Sequence, residues 1–407
     1  MMTEPLTLDG QLKALAAALA GEGPAVFFGP DGAHLIEAPE GVAVVVGTSG
    51  STGAAKATML SVDALAASSM ATAMALGARG MGGEGQWLLA LPTHYVAGVQ
   101  VLVRSLFAGT RPEVMAPGQN SSGQNGVERY GPGKFSTEAF IAAAQEMVDP
   151  VRLTSLVPTQ LQRLIDDPAA RGVLRRFNAI LLGGAPASEA LLSRARELGL
   201  RLVLTYGSAE TCGGCVYDGE PLEDVEIALR PDERGNMRIY LGGATLADGY
   251  LNDARRTAAS FEEVAGLRWY RTDDIGEFDD EGRLLVIGRA DDVIITGGLK
   301  VSAAEVAARL SELDGVRQAF VAGLDDAEWG QRLVAAVERE PGSTVQEDHL
   351  RQLLSEVLPA EAVPKLMLIL EELPLLPQGK LDRQTLLRFL ETENTQRSTT
   401  RGEHPHG

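Results

Sequence analysis

The sequence predicts an α/β protein of two domains: a large N-terminal domain of parallel sheet with a β-rich subdomain, and a small α+β C-terminal domain. Three observations carry this. Between 136 and 205, helix patterns (136–147, 158–166, 188–198) alternate with strand patterns (153–157, 178–182, 201–205), the order expected of parallel strands whose crossover helices cover both faces of a sheet. From 225 to 288 the texture changes to short strands broken by turn signals, Asp232-Glu233-Arg234-Gly235 and Asp279-Asp280-Glu281-Gly282. Residues 292–392 hold a set of their own, helices at 303–313, 345–357 and 382–391 and strands at 316–323, 331–337 and 366–370, enough for an independent small core. A chain of 407 residues is longer than one ordinary domain. The expected organisation is therefore 1–290, 291–393, and a polar tail, 394–407, expected to be disordered.

In the first hundred residues, 11–20 reads as an Ala/Leu helix and Val26–Phe28 as a short strand. The apolar run Val42–Val46 is of buried-strand length and breaks into Gly47-Thr48-Ser49-Gly50-Ser51-Thr52-Gly53-Ala54-Ala55-Lys56. Residues 61–79 form a helix with Ser61 placed to cap it. Trp87–Leu91 is a strand that ends at Pro92, and Val99–Phe107 is an apolar helix interrupted by one cation, Arg104. Residues 117–134 are dominated by Pro, Gly, Asn, Ser and Gln and read as a loop.

Composition narrows the function. Hydrophobic residues make up 45% and charged residues 22%, ordinary for a globular protein with a large core. The net charge of −19 argues against a nucleic-acid surface, which needs a basic face. No basic segment followed by an apolar run opens the chain and no run is long enough to span a membrane, so a cytoplasmic location is expected. Cys212 and Cys215 make a lone pair; the five histidines are scattered, and a structural zinc site needs four ligands. Two reduced, packed thiols are expected, with no metal.

The loop 47–56 is the most informative segment. Its glycines let successive amides turn inward without a Cβ clash, forming an anion nest that hydroxyls and Lys56 complete. It lacks the Gly-Lys-Ser/Thr of a Walker A loop, and by itself it would serve equally as a flexible Ser/Gly turn. Four later segments follow in order: Tyr206-Gly207-Ser208-Ala209-Glu210-Thr211, Tyr270-Arg271-Thr272-Asp273-Asp274, Gly288-Arg289-Ala290-Asp291-Asp292 and Gly379-Lys380-Leu381-Asp382-Arg383. Together with the loop they resemble the signature of the acyl-adenylate-forming superfamily, which includes acyl-CoA synthetases, luciferases and peptide-synthetase adenylation domains. The resemblance runs from about 44 to 384. Ala55, Ala57 and Ala209 depart from it; at Ala209 the family has a hydroxyl residue near the α-phosphate or metal, and its loss forfeits about 0.5–1.5 kcal/mol.

The resemblance implies a large adenylate-forming domain and a small mobile C-terminal lid. It implies activation of a carboxylate by ATP, with Mg²⁺, and transfer of the acyl group to CoA. Thr48, Ser49, Gly50, Ser51, Thr52, Gly53 and Lys56 would hold phosphates, and Glu210 the metal. Tyr206 and Gly207, with Gly183, Gly184 and Ala185 opposite, would line the adenine site. Asp274 would take the ribose hydroxyls, and Arg289 the ribose or a phosphate. Lys380 would bridge the attacking carboxylate and the α-phosphate when the lid is closed. Asp291 would be the hinge, and Gly297 and Gly298 the loop that the rotated lid presents to the thiol tunnel. Small molecules are the expected partners, with no nucleic acid and no membrane span; a homodimer stays open.

For the acid, His94 falls in the family's gate segment, Pro92–Gly98, where it would close over the acyl site or touch the carboxylate; a purely structural histidine is the other option. Arg104 on its apolar helix needs an anion, which a dicarboxylate supplies and a fatty acid does not. The segments 154–164, 181–186 and 212–219, with Ser155 and Thr159 as candidate substrate contacts, are similar to the o-succinylbenzoate–CoA ligases of menaquinone biosynthesis. That branch implies conversion of o-succinylbenzoate, ATP and CoA to the CoA thioester, AMP and diphosphate. A ligase for another acid, delivery to a carrier-protein thiol, and a binding protein without turnover remain alternatives.

Overall fold

The structure, a computed structural model, describes residues 5–48, 56–115, 135–233, 235–326, 329–376 and 381–402. The chain divides into two compact units. The larger comprises Met1–Ala187, Leu191–Ala228 and Tyr240–Thr272; the smaller comprises Ser188–Ala190, Leu229–Ile239 and Asp273–Gly407.

In the larger unit the alternation read between 136 and 205 is the centre of a seven-stranded sheet. Its order is Glu220–Pro221, Gly213–Tyr217, Leu202–Ser208, Ala179–Gly183, Arg152–Leu156, Gln86–Leu89, Glu113–Val114. The last five run parallel, and the first two turn back antiparallel. Leu88, Leu156, Ile180 and Leu182 face a core closed by the helices Thr137–Glu146, Pro158–Asp166, Pro168–Leu174 and Glu189–Glu197, through Phe140, Leu161, Leu174 and Leu191. The alternate residues Trp87, Leu89, Leu153, Leu181 and Val203 are just as buried. On their side the helix Val96–Phe107 packs against the strands. Burial on both faces explains why these strands read as apolar runs without alternation.

A second, five-stranded sheet in this unit has the order Gly249–Tyr250, Lys56–Ser61, Val42–Thr48, Ala25–Gly29, Gly32–Ile36. Here only Ala25–Gly29 beside Val42–Thr48 is parallel. The parallel architecture expected from sequence therefore belongs to the seven-stranded sheet. Here short connections such as the one between Gly29 and Gly32 permit only hairpins. Ser61 accepts the Ala64 amide at 3.4 Å and starts the helix Val62–Ala78, as its position predicts. The loop read at 117–134 lies outside the described residues.

The β-rich segment starts with the strands Val225–Pro231 and Met237–Gly243, and later in it Phe261–Val264 pairs with Leu267–Tyr270. The long strand Leu267–Phe278 then carries the chain into the smaller unit, where Asp274–Phe278 pairs with Leu284–Arg289. The compact units thus part at Thr272 and Asp273 rather than at 290, because the strand Leu284–Arg289 packs on the helix Ala303–Ser311.

The smaller unit holds a sheet of Leu299–Ser302, Val293–Thr296, Gly330–Arg339 and Val316–Asp326, with Leu366–Leu370 parallel to Gly330–Arg339. One face packs Leu333, Ala335 and Val337 against Val306, Leu310, Leu350 and Leu354 of the helices Ala303–Ser311 and Glu347–Val357. The other packs Phe320, Val334 and Ala336 against Leu386 and Leu390 of the final helix.

That final helix corrects the sequence reading. It runs Arg383–Gly402, through much of the segment expected to be a disordered tail from 394. Arg397 pairs with Glu393 one turn back and with Glu347 on another helix, each at 2.7 Å, and Asn394 accepts a bond from Arg332. A composition count sees only polar residues there and not these partners.

Candidate active site

Parallel strands of an open α/β sheet place their functional loops at their carboxyl ends. In this sheet those ends are aligned: Leu156 pairs with Leu182, and Gly183 with Thr205. The segments 90–95, 157–160, 183–186 and 208–212 all leave the sheet there.

Glu210 sits in the one-turn helix Ala209–Thr211 that follows the strand Leu202–Ser208. The turn is tightly held. Thr211 Oγ1 accepts the Ser208 amide and donates to the Gly213 carbonyl at 2.7 Å. Cys212 is left-handed, φ 52°, and its carbonyl accepts Gln100 Nε2 at 2.6 Å and Ser68 Oγ at 3.2 Å. Gly207 must lack a side chain, since a Cβ would lie 2.0 Å from the Gly213 oxygen. Gly183 is constrained in the same way by Thr205, whose Oγ1 would be 2.3 Å from a Cβ. Gly183, Gly184 and Ala185 therefore turn beside the strand that carries Tyr206, so both walls assigned to the adenine lie on neighbouring strands.

Glu210 is 6% exposed. Lys56, at the start of the strand Lys56–Ser61, brings Nζ to 3.6 Å from its Oε1. Tyr250 donates its hydroxyl to the same oxygen at 2.8 Å, and its ring lies 5.6 Å from Lys56 Nζ. Burial and the neighbouring carboxylate push the Tyr250 phenol well above its ordinary range, so it remains a donor. Two motifs separated by about 150 residues in the chain thus meet as a cation and a carboxylate. Ser49, Gly50, Ser51, Thr52 and Gly53 lie outside the described residues; Thr48 ends its strand paired with Lys56. No group of three or more His, Cys, Asp or Glu side chains forms a cage among the described residues. One buried carboxylate beside a lysine suits Mg²⁺, which keeps waters and takes its other oxygens from phosphates.

Of the residues expected to meet the acid, His94 is partly buried with its ring 4.1 Å from that of Tyr95, just before the helix Val96–Phe107. Gly98 lets that helix start against the backbone, since a Cβ would meet the Pro92 carbonyl at 2.3 Å. Arg104, two turns on, is 7% exposed. Its guanidinium stacks 5.2 Å from the Trp87 ring, and its buried Nε has no hydrogen-bond partner among the described residues. Ser155 is buried near the end of its strand, and Thr159 is partly buried in the first turn of the helix Pro158–Asp166. The sequence reading missed Gln160. Its side chain accepts the Val157 amide and donates to the Ala90 carbonyl, both at 3.1 Å, tying two strand exits together. Cys212 and Cys215 are buried, free thiols, and burial drives both upward, away from thiolate.

The remaining assigned residues belong to the smaller unit. Asp274 and Arg289 are cross-strand partners. The neighbouring Asp273 takes Arg238 at 2.7 Å and Arg289 at 3.6 Å. Asp291 lies in the one-turn helix Ala290–Asp292, and Asp292 pairs with both terminal nitrogens of Arg383. Lys380 lies outside the described residues; among the residues on either side of it, Leu375 bridges Leu381, and the Asp382 amide donates to the Pro374 carbonyl at 2.9 Å. Gly297 and Gly298, φ 55° and 83°, form the two-residue turn between Val293–Thr296 and Leu299–Ser302. Paired positive φ is what such a hairpin demands. Nothing local to the sequence announced the Arg383–Asp292 pair, which joins the segment after Lys380 to the turn Ala290–Asp292.

Residues 11–251 match the AMP-binding enzyme family, and 305–380 match the AMP-binding enzyme C-terminal domain. The chain is 40% identical over 355 residues to a probable 2-succinylbenzoate–CoA ligase of Mycobacterium tuberculosis, covering 85% of this chain and 84% of that one. It is 30% identical to the 2-succinylbenzoate–CoA ligase of Geobacillus sp., covering 86% of this chain and 69% of the other. A solved structure of o-succinylbenzoate CoA synthetase from Bacillus subtilis, in complex with its acyl-adenylate intermediate, superposes with a TM-score of 0.69 at 27% identity, over 87% of this chain and 72% of that one.

Proposed function

This chain belongs to the AMP-binding enzyme family, and we propose that within it the chain is a 2-succinylbenzoate–CoA ligase. The observation that carries the reading is the meeting of Lys56 and Glu210 at the carboxyl ends of the parallel strands, in a chain whose relatives bear that name. The acid's carboxylate oxygen attacks the α-phosphorus of ATP, and diphosphate leaves. The thiol of CoA, giving up its proton, then attacks the acyl carbonyl, and AMP leaves.

Lys56 and the amides and hydroxyls of 48–53 neutralise the phosphates, which is where charge must be held for an in-line displacement. Glu210 offers Mg²⁺ an oxygen; the ion, when bound, supplies further charge neutralisation. Tyr206, Gly207 and Gly183–Ala185 seat the adenine, and Asp274 and Arg289 the ribose. Lys380 steadies the carboxylate and α-phosphate during adenylation, Asp291 is the hinge, and Gly297 and Gly298 serve the thiol step. His94 closes the acyl site, which Ser155 and Thr159 line. Arg104 supports the dicarboxylate reading: a buried cation whose Nε lacks a partner among the described residues is costly unless an anion joins it. No helix among the described residues is long and apolar enough to cross a membrane. We place the reaction in the cytoplasm, where ATP and CoA are found.

The test is diphosphate release from ATP and Mg²⁺ with a panel of acids, with and without CoA. 2-Succinylbenzoate should give a single-turnover burst without CoA and continuous turnover with it. A higher kcat/KM for another acid, or no effect of CoA, would overturn the assignment.

A further inference from the structure

We propose that Tyr250 is a positioning residue for Glu210, holding the carboxylate so that one oxygen stays available to the metal. The inference rests on the reading of Glu210 as the Mg²⁺ ligand. Both described partners of Glu210 converge on Oε1: the Tyr250 hydroxyl at 2.8 Å and Lys56 Nζ at 3.6 Å. Among the described residues the hydrogen bond that Glu210 accepts falls on Oε1 and none on Oε2. A carboxylate anchored through one oxygen presents the other at a fixed orientation, the usual relation between a ligating group and its supporting hydrogen bond.

The backbone around Tyr250 is built for this. The segment 247–251 bridges the two sheets of the larger unit. At one end the Ala247 amide donates to the Glu210 carbonyl at 2.9 Å. At the other, Gly249–Tyr250 pairs antiparallel with the strand that starts at Lys56, Tyr250 opposite Thr58, and the Leu251 amide donates to the Ala57 carbonyl at 2.8 Å. One short strand therefore sets the spacing of the lysine and the carboxylate. Gly249, φ 133°, leaves no room for a side chain, since a Cβ would come 2.5 Å from Thr257 Cγ2. Thr257 Oγ1 in turn accepts the Tyr250 amide at 2.9 Å. When phosphates arrive, they have a stronger claim on Lys56 than Glu210 has. The phenol does not move with it, and the carboxylate keeps one anchor.

Tyr250→Phe keeps the ring beside Lys56 and removes only the hydroxyl. The measurement is calorimetric binding of α,β-methylene-ATP to the whole chain, with and without Mg²⁺, in the absence of acid. Wild type should bind more tightly with Mg²⁺. In Tyr250→Phe the Mg²⁺ concentration for half-maximal enhancement should rise about tenfold, while metal-free nucleotide affinity stays unchanged. Should Tyr250→Phe not fold, Thr257→Ala, which loosens the Tyr250 backbone without touching Glu210, should show the same shift more weakly. An unaltered Mg²⁺ dependence in a folded variant, or equal loss with and without Mg²⁺, overturns the proposal. Absence of Mg²⁺-enhanced binding in wild type would instead count against Glu210 as the ligand.

Discussion

The two compact units carry the residues assigned to the site in opposite ways. In the larger, the groups are buried and placed by partners far along the chain. Glu210 is held by Tyr250 and Lys56, the turn after it by Gln100 and Ser68, and the strand exits at 90 and 157 by Gln160. In the smaller, the described ones sit on short local devices: the Gly297-Gly298 turn and the cross-strand pair Asp274 and Arg289. Buried, multiply bonded groups suit charge stabilisation, which gains from fixed geometry in a low dielectric. Short hairpins and turns suit groups needed in only one step of a sequence, because their shape survives displacement of the body that carries them.

This contrast can be tested, beginning with the largest effect. Arg104→Ala should lower kcat/KM for 2-succinylbenzoate by about 2–5 kcal/mol, with ATP affinity nearly unchanged. An analogue without the succinyl carboxylate should lose far less. Equal loss for both acids would make Arg104 structural, and burial alone would then be no guide to function in the larger unit.

Lys380→Ala should slow adenylate formation by about 10²–10³-fold and leave thioester formation from supplied acyl-adenylate largely intact. Separate assays of the two half-reactions decide this. Parallel loss of both would show that the smaller unit's groups are not step-specific.

A smaller effect is expected where a buried side chain ties two strand exits. Gln160→Ala leaves the Val157 amide and the Ala90 carbonyl without their side-chain partner. Unfolding by denaturant should show a loss of about 1–3 kcal/mol, with kcat falling alongside. Unchanged stability would mean that water replaces the amide and that the exits need no tie.

The smallest effect belongs to the smaller unit's surface. Ending the chain at Glu393 removes Arg397, which is largely exposed and bridges Glu347 and Glu393. A loss below about 1 kcal/mol is expected, as for other solvated ion pairs, and it should shrink in high salt. A larger loss would make the terminal helix part of the core rather than an extension of it.

The sequence by itself determined the class of the fold and most of its elements. The helix at 158–166 and the strand at 366–370 emerge where the pattern puts them, because apolar periodicity records which face each segment must bury. It also singled out Lys56 and Glu210 one at a time, through the resemblance of the short motifs that hold them to a known family's signature. What it did not contain was the partner of each group. Tyr250 follows Gly249 in a two-residue strand too short to leave a periodic trace. Gln160, Gln100 and Arg383 are unremarkable polar residues until another segment supplies the amide, carbonyl or carboxylate they meet. The course of the final helix past 394 was decided in the same way, by Glu347 and Arg332 from elsewhere in the chain. Local propensity and patterning are properties of neighbours in sequence. The bonds that orient Glu210 join positions about 40 and 150 residues away, and only folding brings them within 4 Å.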